Sequence, residues 1–251
     1  MARRIALVVG FILAASLAGD VPVHAEPVRT VVPQPASRAV MRPVRPTPKR
    51  KPAMPPGTLV AHLRAGRVVA VRRAPGGPVV ARISARTEFG SPQTLAVTRA
   101  ARALQVITTE LPNGRTGFVD TGRGNLSFSR ARVTLDVDLS ARELRVRAGG
   151  RVVRRIAVGI GAAGTSTPIG RFAVTDKLRG SDYSAVYGCC ILALSGHQTN
   201  LPRGWTGGDR LAIHGGSTSG AVSTGCLHAG DAGLRWLMRS IPLGAQITIH
   251  P

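Results

Sequence analysis

The stretch AVSTGCLHAG, residues 221–230, sets Cys226 among small residues, two places before His228 and twelve after His214 of RLAIHGG. A free thiol has a reference pKa near ~8.5, so little thiolate exists at neutral pH unless a base takes the proton, and imidazole is such a base. His214 closes an alternating run and is followed by Gly215 and Gly216, which predicts a strand end where the backbone turns sharply. STGC is expected to lead into a helix whose unpaired N–H groups and positive end face the sulfur and a developing oxyanion. These residues alone leave two readings open: cysteine-dependent acyl transfer, or a buried apolar thiol beside a solvated histidine. A metal site of Cys226, His214 and His228 is disfavoured. A Cys-x-His pair lacks the usual C-x₂₋₄-C spacing, and no carboxylate cluster accompanies it.

The elements that position these residues read as mainly β. VTLDVDLSARELRVRAGGRVVRRIAVGIG alternates with period two and predicts three antiparallel strands, with LSAR and AGGR as turns. Further strands are expected at GRFAVTDKL, CILALSG, RLAIHG and AQITIHP. Only AGDAGLRWLMRSI has helical spacing, with Leu234, Leu237, Met238 and Ile241 on one face. Upstream, residues 57–129 carry short β-rich runs, TLVAHL, RVVAVRRAPGGPVVARI and ALQVITTELPNGRTGFVD, the last with a hairpin turn through Asn-Gly. They suit a small barrel.

Residues 1–25 have the basic start, apolar run and VHA cleavage site of a secretory signal, with cleavage expected after Ala25. An uncleaved anchor is the weaker reading, because the apolar run is shorter than the ~20 residues a spanning helix needs. Export to a periplasmic or cell-wall space follows. Residues 26–56 hold half of the 18 prolines, with no hydrophobic period, and read as a disordered Pro/Arg-rich tether. A formal net charge of +22 favours a polyanionic partner. For an exported chain without a helix-turn-helix, zinc-finger or RNP-like signature, that means anionic cell-wall polymers or membrane surface and no nucleic acid. Arginine-rich composition with no specific partner is the alternative. The three cysteines, an odd count, leave at least one unpaired. Adjacent Cys189 and Cys190 could close only a strained ring, so a staple between them is not expected.

STPIGRF (166–172), LALSGH (192–197), RLAIHGG (210–216), VSTGCLH (222–228) and IPLGAQITI (241–249) follow one another in the order and spacing of the L,D-transpeptidase catalytic domain, the YkuD-like family. The resemblance runs from about Arg132 to the C-terminus, and residues 130–251 are assigned to this domain. It implies a β-sandwich-like fold and no cofactor. It also implies an exported cysteine enzyme that forms 3→3 crosslinks between peptidoglycan stem peptides. Carried over residue by residue, it makes Cys226 the nucleophile and His214 the general base, with the Gly215 carbonyl orienting the imidazole. The N–H groups of Thr224, Gly225 and Cys226 would then form the oxyanion hole. Ser223, His228, His197 and Tyr187 are candidate substrate contacts, although His197 suits a structural role as well. Carbapenem-type β-lactams are implied as covalent inhibitors. Residues 57–129 look like the bacterial SH3-like module found in front of wall enzymes, on RRAPGG and LQVITTELPNGRTGFV.

The sequence departs from the family at Thr224, often histidine, at His228, commonly arginine or asparagine, and at Cys189 and Cys190. A protonated His228 would take over the substrate-carboxylate contact that arginine often makes. An L,D-carboxypeptidase using water, or a non-catalytic wall-binding protein, are the alternatives; retention of both His214 and Cys226 argues against the latter.

Overall fold

Every second residue of VTLDVD and ELRVRA is apolar. In the computed structural model of the chain these runs are strands, with Leu135, Val137, Leu144 and Val146 buried. The structure describes residues 57–122 and 124–251. The expected signal, 1–25, and tether, 26–56, lie outside the described residues.

Seven strands form a first, antiparallel sheet: β1 (Thr58–Leu63), β2 (Val68–Arg72), β3 (Val79–Ser84), β4 (Thr94–Ala100), β5 (Ala103–Ile107), β6 (Gly117–Asp120) and β7 (Leu126–Ala131). Their spatial order is β3-β2-β6-β5-β4-β1-β7. The Asn-Gly turn joins β5 to β6 as expected, with the Arg115 N–H donating to the Pro112 carbonyl at 3.0 Å. β7 pairs with β1 as far as Ala131, so this sheet extends to the residue before Arg132.

Nine strands form the second sheet: β8 (Val133–Asp138), β9 (Glu143–Ala148), β10 (Arg151–Gly161), β11 (Gly170–Arg179), β12 (Cys190–His197), β13 (Arg210–His214), β14 (Ala221–Ser223), β15 (Leu227–Ala229) and β16 (Gln246–His250). The order is β14-β10-β15-β13-β12-β11-β16-β8-β9, and β10 also pairs with β9, so the ladder returns on itself. The strands expected from alternation are all present. The helix α1 (Asp231–Ser240) lies against β12 with Leu234 and Leu237 fully buried, each burial contributing roughly 1.5–3 kcal/mol. No helix among the described residues is long and apolar enough to cross a membrane.

Two local expectations are corrected. STGC does not run straight into α1; β15 intervenes, because Leu227 and Ala229 are buried between β10 and β13 and the chain must pass through that gap first. Cys189 and Cys190 are joined in a disulfide. They sit where a turn becomes β12, so neighbouring side chains are not yet forced to opposite faces as they are within a strand.

The two sheets are packed together. Ala96 and Ile107 of the first share a buried cluster with Ala173 of the second, and the Gln246 Nε2 donates to the Val97 carbonyl at 3.1 Å. The Thr87 hydroxyl donates to the buried carboxylate of Asp176 at 2.5 Å. These contacts matter for the site, because they place a loop of the first sheet at the edge of a cavity in the second.

Candidate active site

β13 and β15 run parallel, with Ile213 opposite Leu227 and His214 opposite His228. Alternation therefore puts Ala212, His214, Cys226 and His228 on one face. That face floors a cavity of about 860 Å³, which Tyr187, Gly215, Ser223 and Thr224 also line.

His214 is 7% exposed. Its Nδ1 donates to the Gly215 carbonyl at 2.7 Å, which leaves Nε2 as the basic nitrogen. Tyr187 meets the ring edge-on at 4.8 Å between centroids, and His228 lies against it at 4.7 Å. The Gly215 N–H donates to the Tyr187 carbonyl at 2.8 Å. A Cβ on Gly215 would come within 2.8 Å of that carbonyl, so glycine is what lets the Tyr187 turn close over the histidine. Burial pushes His214 down to about 4; the bond to Gly215 opposes this and the neighbouring His228 adds to it.

Cys226 is the free cysteine among the described residues and is half-buried. Burial pushes its thiol up, against a backbone hydrogen bond from Ala212. The Sγ lies 3.9 Å from the Arg210 carbonyl, a weak S–H contact. The resting pair is thus an uncharged thiol and an uncharged imidazole.

The turn before the cysteine is held internally. The Ser223 hydroxyl donates to the Cys226 carbonyl at 2.5 Å and accepts the Gly225 N–H at 3.1 Å. Of the three N–H groups expected to face an oxyanion, that of Gly225 is therefore already engaged, and the hydroxyl expected to meet substrate is used inside the turn. Gly225 has φ +107°, and a Cβ there would collide with the side-chain amide of Gln198. That amide donates to the carbonyls of Thr165 at 3.0 Å, Ser166 at 3.1 Å and Thr224 at 3.1 Å.

Gln198 was not singled out by sequence; its neighbour His197 was. Strict alternation from Ile191 and Ala193, which line the cavity, would bring His197 into it, but the register shifts between Ala193 and His197. Gln198 takes the cavity position. His197 instead lies between the sheets, its Nε2 2.8 Å from the Thr109 carbonyl and its Nδ1 3.0 Å from Asp209. Its backbone N–H and carbonyl pair with the Asn113 amide at 2.9 and 2.6 Å. His228 does line the cavity, but burial lowers its pKa and its Nδ1 is buried without a partner. At neutral pH it is not the cation expected to hold a substrate carboxylate. Among the described residues no His, Cys, Asp and Glu side chains converge as a metal site.

Residues 132–249 match the model of YkuD, the L,D-transpeptidase catalytic domain. This part of the chain is an L,D-transpeptidase catalytic domain. The match contains every strand of the second sheet except the last residue of β16, and it contains Cys226, His214 and the cavity floor. No curated protein sequence matches the chain significantly. Among solved structures, Bd1075 of Bdellovibrio bacteriovorus is 23% identical with a TM-score of 0.38, over 48% of each chain. This chain thus spans about half of that one's length. An L,D-transpeptidase from Mycobacterium smegmatis is 15% identical over 62% of this chain and 82% of its own, with a TM-score of 0.38. LdtMt1, solved in complex with imipenem, is 15% identical over 62% of this chain and 98% of its own, with a TM-score of 0.41. The transpeptidase domain carries the imidazole at the end of β13 and the thiol just before the parallel strand β15, and the first sheet is built against it.

Proposed function

We propose that the chain is an exported cysteine acyltransferase that forms 3→3 crosslinks between peptidoglycan stems. The observation that carries this reading is the placement of Cys226 and His214 on one face of one cavity, with His214 Nδ1 held by Gly215. The thiol turns from the Arg210 carbonyl toward His214 Nε2, which takes its proton as sulfur attacks the carbonyl linking the diamino acid to terminal D-alanine. Charge on the tetrahedral oxygen is met by the N–H groups of Thr224 and Cys226. His214 returns the proton to the departing D-alanine amine, and a thioester remains. An amine of a second stem attacks the thioester, His214 takes the amine proton, and the thiol is regenerated as the crosslink forms. The uncharged resting pair suits this sequence, since a base must be free to accept a proton. An imidazole with its pKa pushed down to about 4 is unprotonated at neutral pH.

The signal directs export, the basic tether holds the enzyme to anionic wall polymers, and the first sheet is an SH3-like module. Carbapenems, one of which is bound in the LdtMt1 structure, acylate Cys226 in the same way as a stem.

The test is to incubate the secreted protein with purified disaccharide-tetrapeptide and read product masses. A dimer lacking one D-alanine is expected. Free tripeptide stems without dimer would replace this reading with the carboxypeptidase, and unchanged substrate would overturn both.

A further inference from the structure

We propose that Arg130, Arg132, Lys177 and Arg239 form a binding site for a phosphodiester polymer of the cell envelope, on the side of the catalytic domain away from Cys226.

The four side chains line a cavity of about 320 Å³. They come from three parts of the chain. Arg130 on β7 and Arg132 just beyond it flank the buried Ala131, so alternation sends both out of the core on the same side. Lys177 lies on β11, and Arg239 in the last turn of α1. Leu178, the residue after Lys177, lines the catalytic cavity, so the pleat turns Lys177 to the opposite face. A ligand held there leaves the approach to Cys226 open.

Charge is uncompensated at this place. Arg72, Arg145, Arg155, Arg179 and Arg235 each meet a carboxylate. None of the four cations has an acidic partner among the described residues, and no Asp or Glu lines the cavity. Arg130 Nη1 donates to the Gly57 carbonyl at 2.9 Å, and Lys177 Nζ to the Met238 carbonyl at 2.8 Å. Those neutral acceptors steady two of the side chains and cancel neither charge. Lys177 is half-buried, and burial lowers its pKa, as expected of an ammonium drawn out of water without a counter-ion. Four like charges around one hollow repel one another, and an anion among them removes that cost.

The arrangement also selects the kind of anion. A carboxylate is the end of a branch, presents its two oxygens in one direction, and is satisfied by a single guanidinium. A phosphodiester is part of the chain itself and offers charge to both walls of a trough that it runs along. Three guanidinium forks and a compact ammonium, set on different walls, suit the second. Arg132, Arg239, Ser240 and Pro242 are exposed, which leaves the trough open for a chain to enter and leave. Its apolar lining is Val133, half-buried, and Ile241, fully buried. The lining thus has no apolar wedge to enter a bilayer, and a soluble polymer fits better than a membrane.

The experiment titrates the secreted protein by calorimetry, at physiological salt, with a short oligo(glycerol phosphate) and with an oligoglutamate of equal charge. The double variant Arg132→Gln, Arg239→Gln is expected to bind the phosphate oligomer about tenfold more weakly than the parent. A control, Arg64→Gln, Arg67→Gln, loses the same charge from the exposed β1–β2 turn and is expected to stay within about threefold. All three proteins carry the same tether, so its contribution cancels. Equal losses in the two variants, no measurable binding, or the same tenfold loss with oligoglutamate would overturn the proposal. A loss confined to phosphatidylglycerol vesicles, read by flotation, would make the site a membrane contact and overturn the polymer. Turnover of soluble stems should be equal in the three proteins, and a fall in the first variant alone would refute the placement away from the catalytic cavity. The acyl-transfer reading fails on a different observation, the absence of a thioester on Cys226 by intact mass after addition of tetrapeptide.

Discussion

The imidazoles of His214 and His228 lie 4.7 Å apart between centroids, tilted by 52°, across the parallel register that makes the two residues partners. Burial lowers the pKa of both, so a proton on either ring is disfavoured by loss of water, and His228 adds to the lowering at His214. The site is consequently sensitive to acid and sparing of charge at neutral pH.

Folding should lose stability in mild acid. The folded-state pKa of His214 is pushed down to about 4 from an ordinary 6.5. Between those values the unfolded chain binds the proton and the folded chain does not. The contribution is therefore fully present above 6.5 and is lost as pH falls toward 4, by up to about 3 kcal/mol, with His228 acting in the same direction. Melting temperature followed across this window should drop steeply in the parent and less in His214→Gln. Identical slopes would remove His214 as the cause.

Alkylation of the free thiol should show no pre-formed ion pair. With the Cys226 thiol pushed up, the iodoacetamide rate should climb throughout about pH 6 to 9. A plateau near neutrality would mean that a thiolate–imidazolium pair already exists. Acylation by a stem is another matter: His214→Ala should slow it by ~10²- to 10⁴-fold, read as the rate of mass gain on Cys226.

His228 tunes its neighbour. Since His228 contributes to the lowering of His214, His228→Gln should raise the His214 pKa and move the acid limb of the kcat/KM profile to higher pH. An acid limb that stays in place would show that the two rings do not communicate.

Gly225→Ala should damage both stability and rate. At φ +107° an L side chain is strained by about 1–3 kcal/mol, and the new methyl strikes the Gln198 amide that holds the Thr224 carbonyl. Acylation should fall by ~10²-fold as the nucleophile turn shifts. In a double-mutant cycle with Gln198→Ala, the two stability losses should be less than additive, because the second change removes the atoms in collision. Simple additivity would refute the contact.

Wherever a property repeats over a few residues, the sequence alone determined it. The alternation of VTLDVD, ELRVRA and RLAIH places strands because a pleated chain sends every second side chain to the core, and the apolar spacing of Leu234 and Leu237 places α1 for the analogous helical reason. The Cys226, His214 and Gly215 constellation was legible because its members lie within two short motifs at the ends of neighbouring strands. Tertiary structure decided the rest. β14 and β15, three residues each, are too short to carry a period and exist because neighbouring strands complete them. The irregularity after Ala193 exchanged His197 for Gln198 at the cavity, and nothing local announces a one-residue shift in pairing. Whether Ser223 faces substrate or its own turn depended on where the Cys226 carbonyl ended up. Glu88 reaches Arg210 across 122 residues of chain, in a contact made only when one sheet is packed on the other. Local periodicity encodes which face a residue takes; which residue it meets there is fixed by long-range packing, which no window of sequence contains.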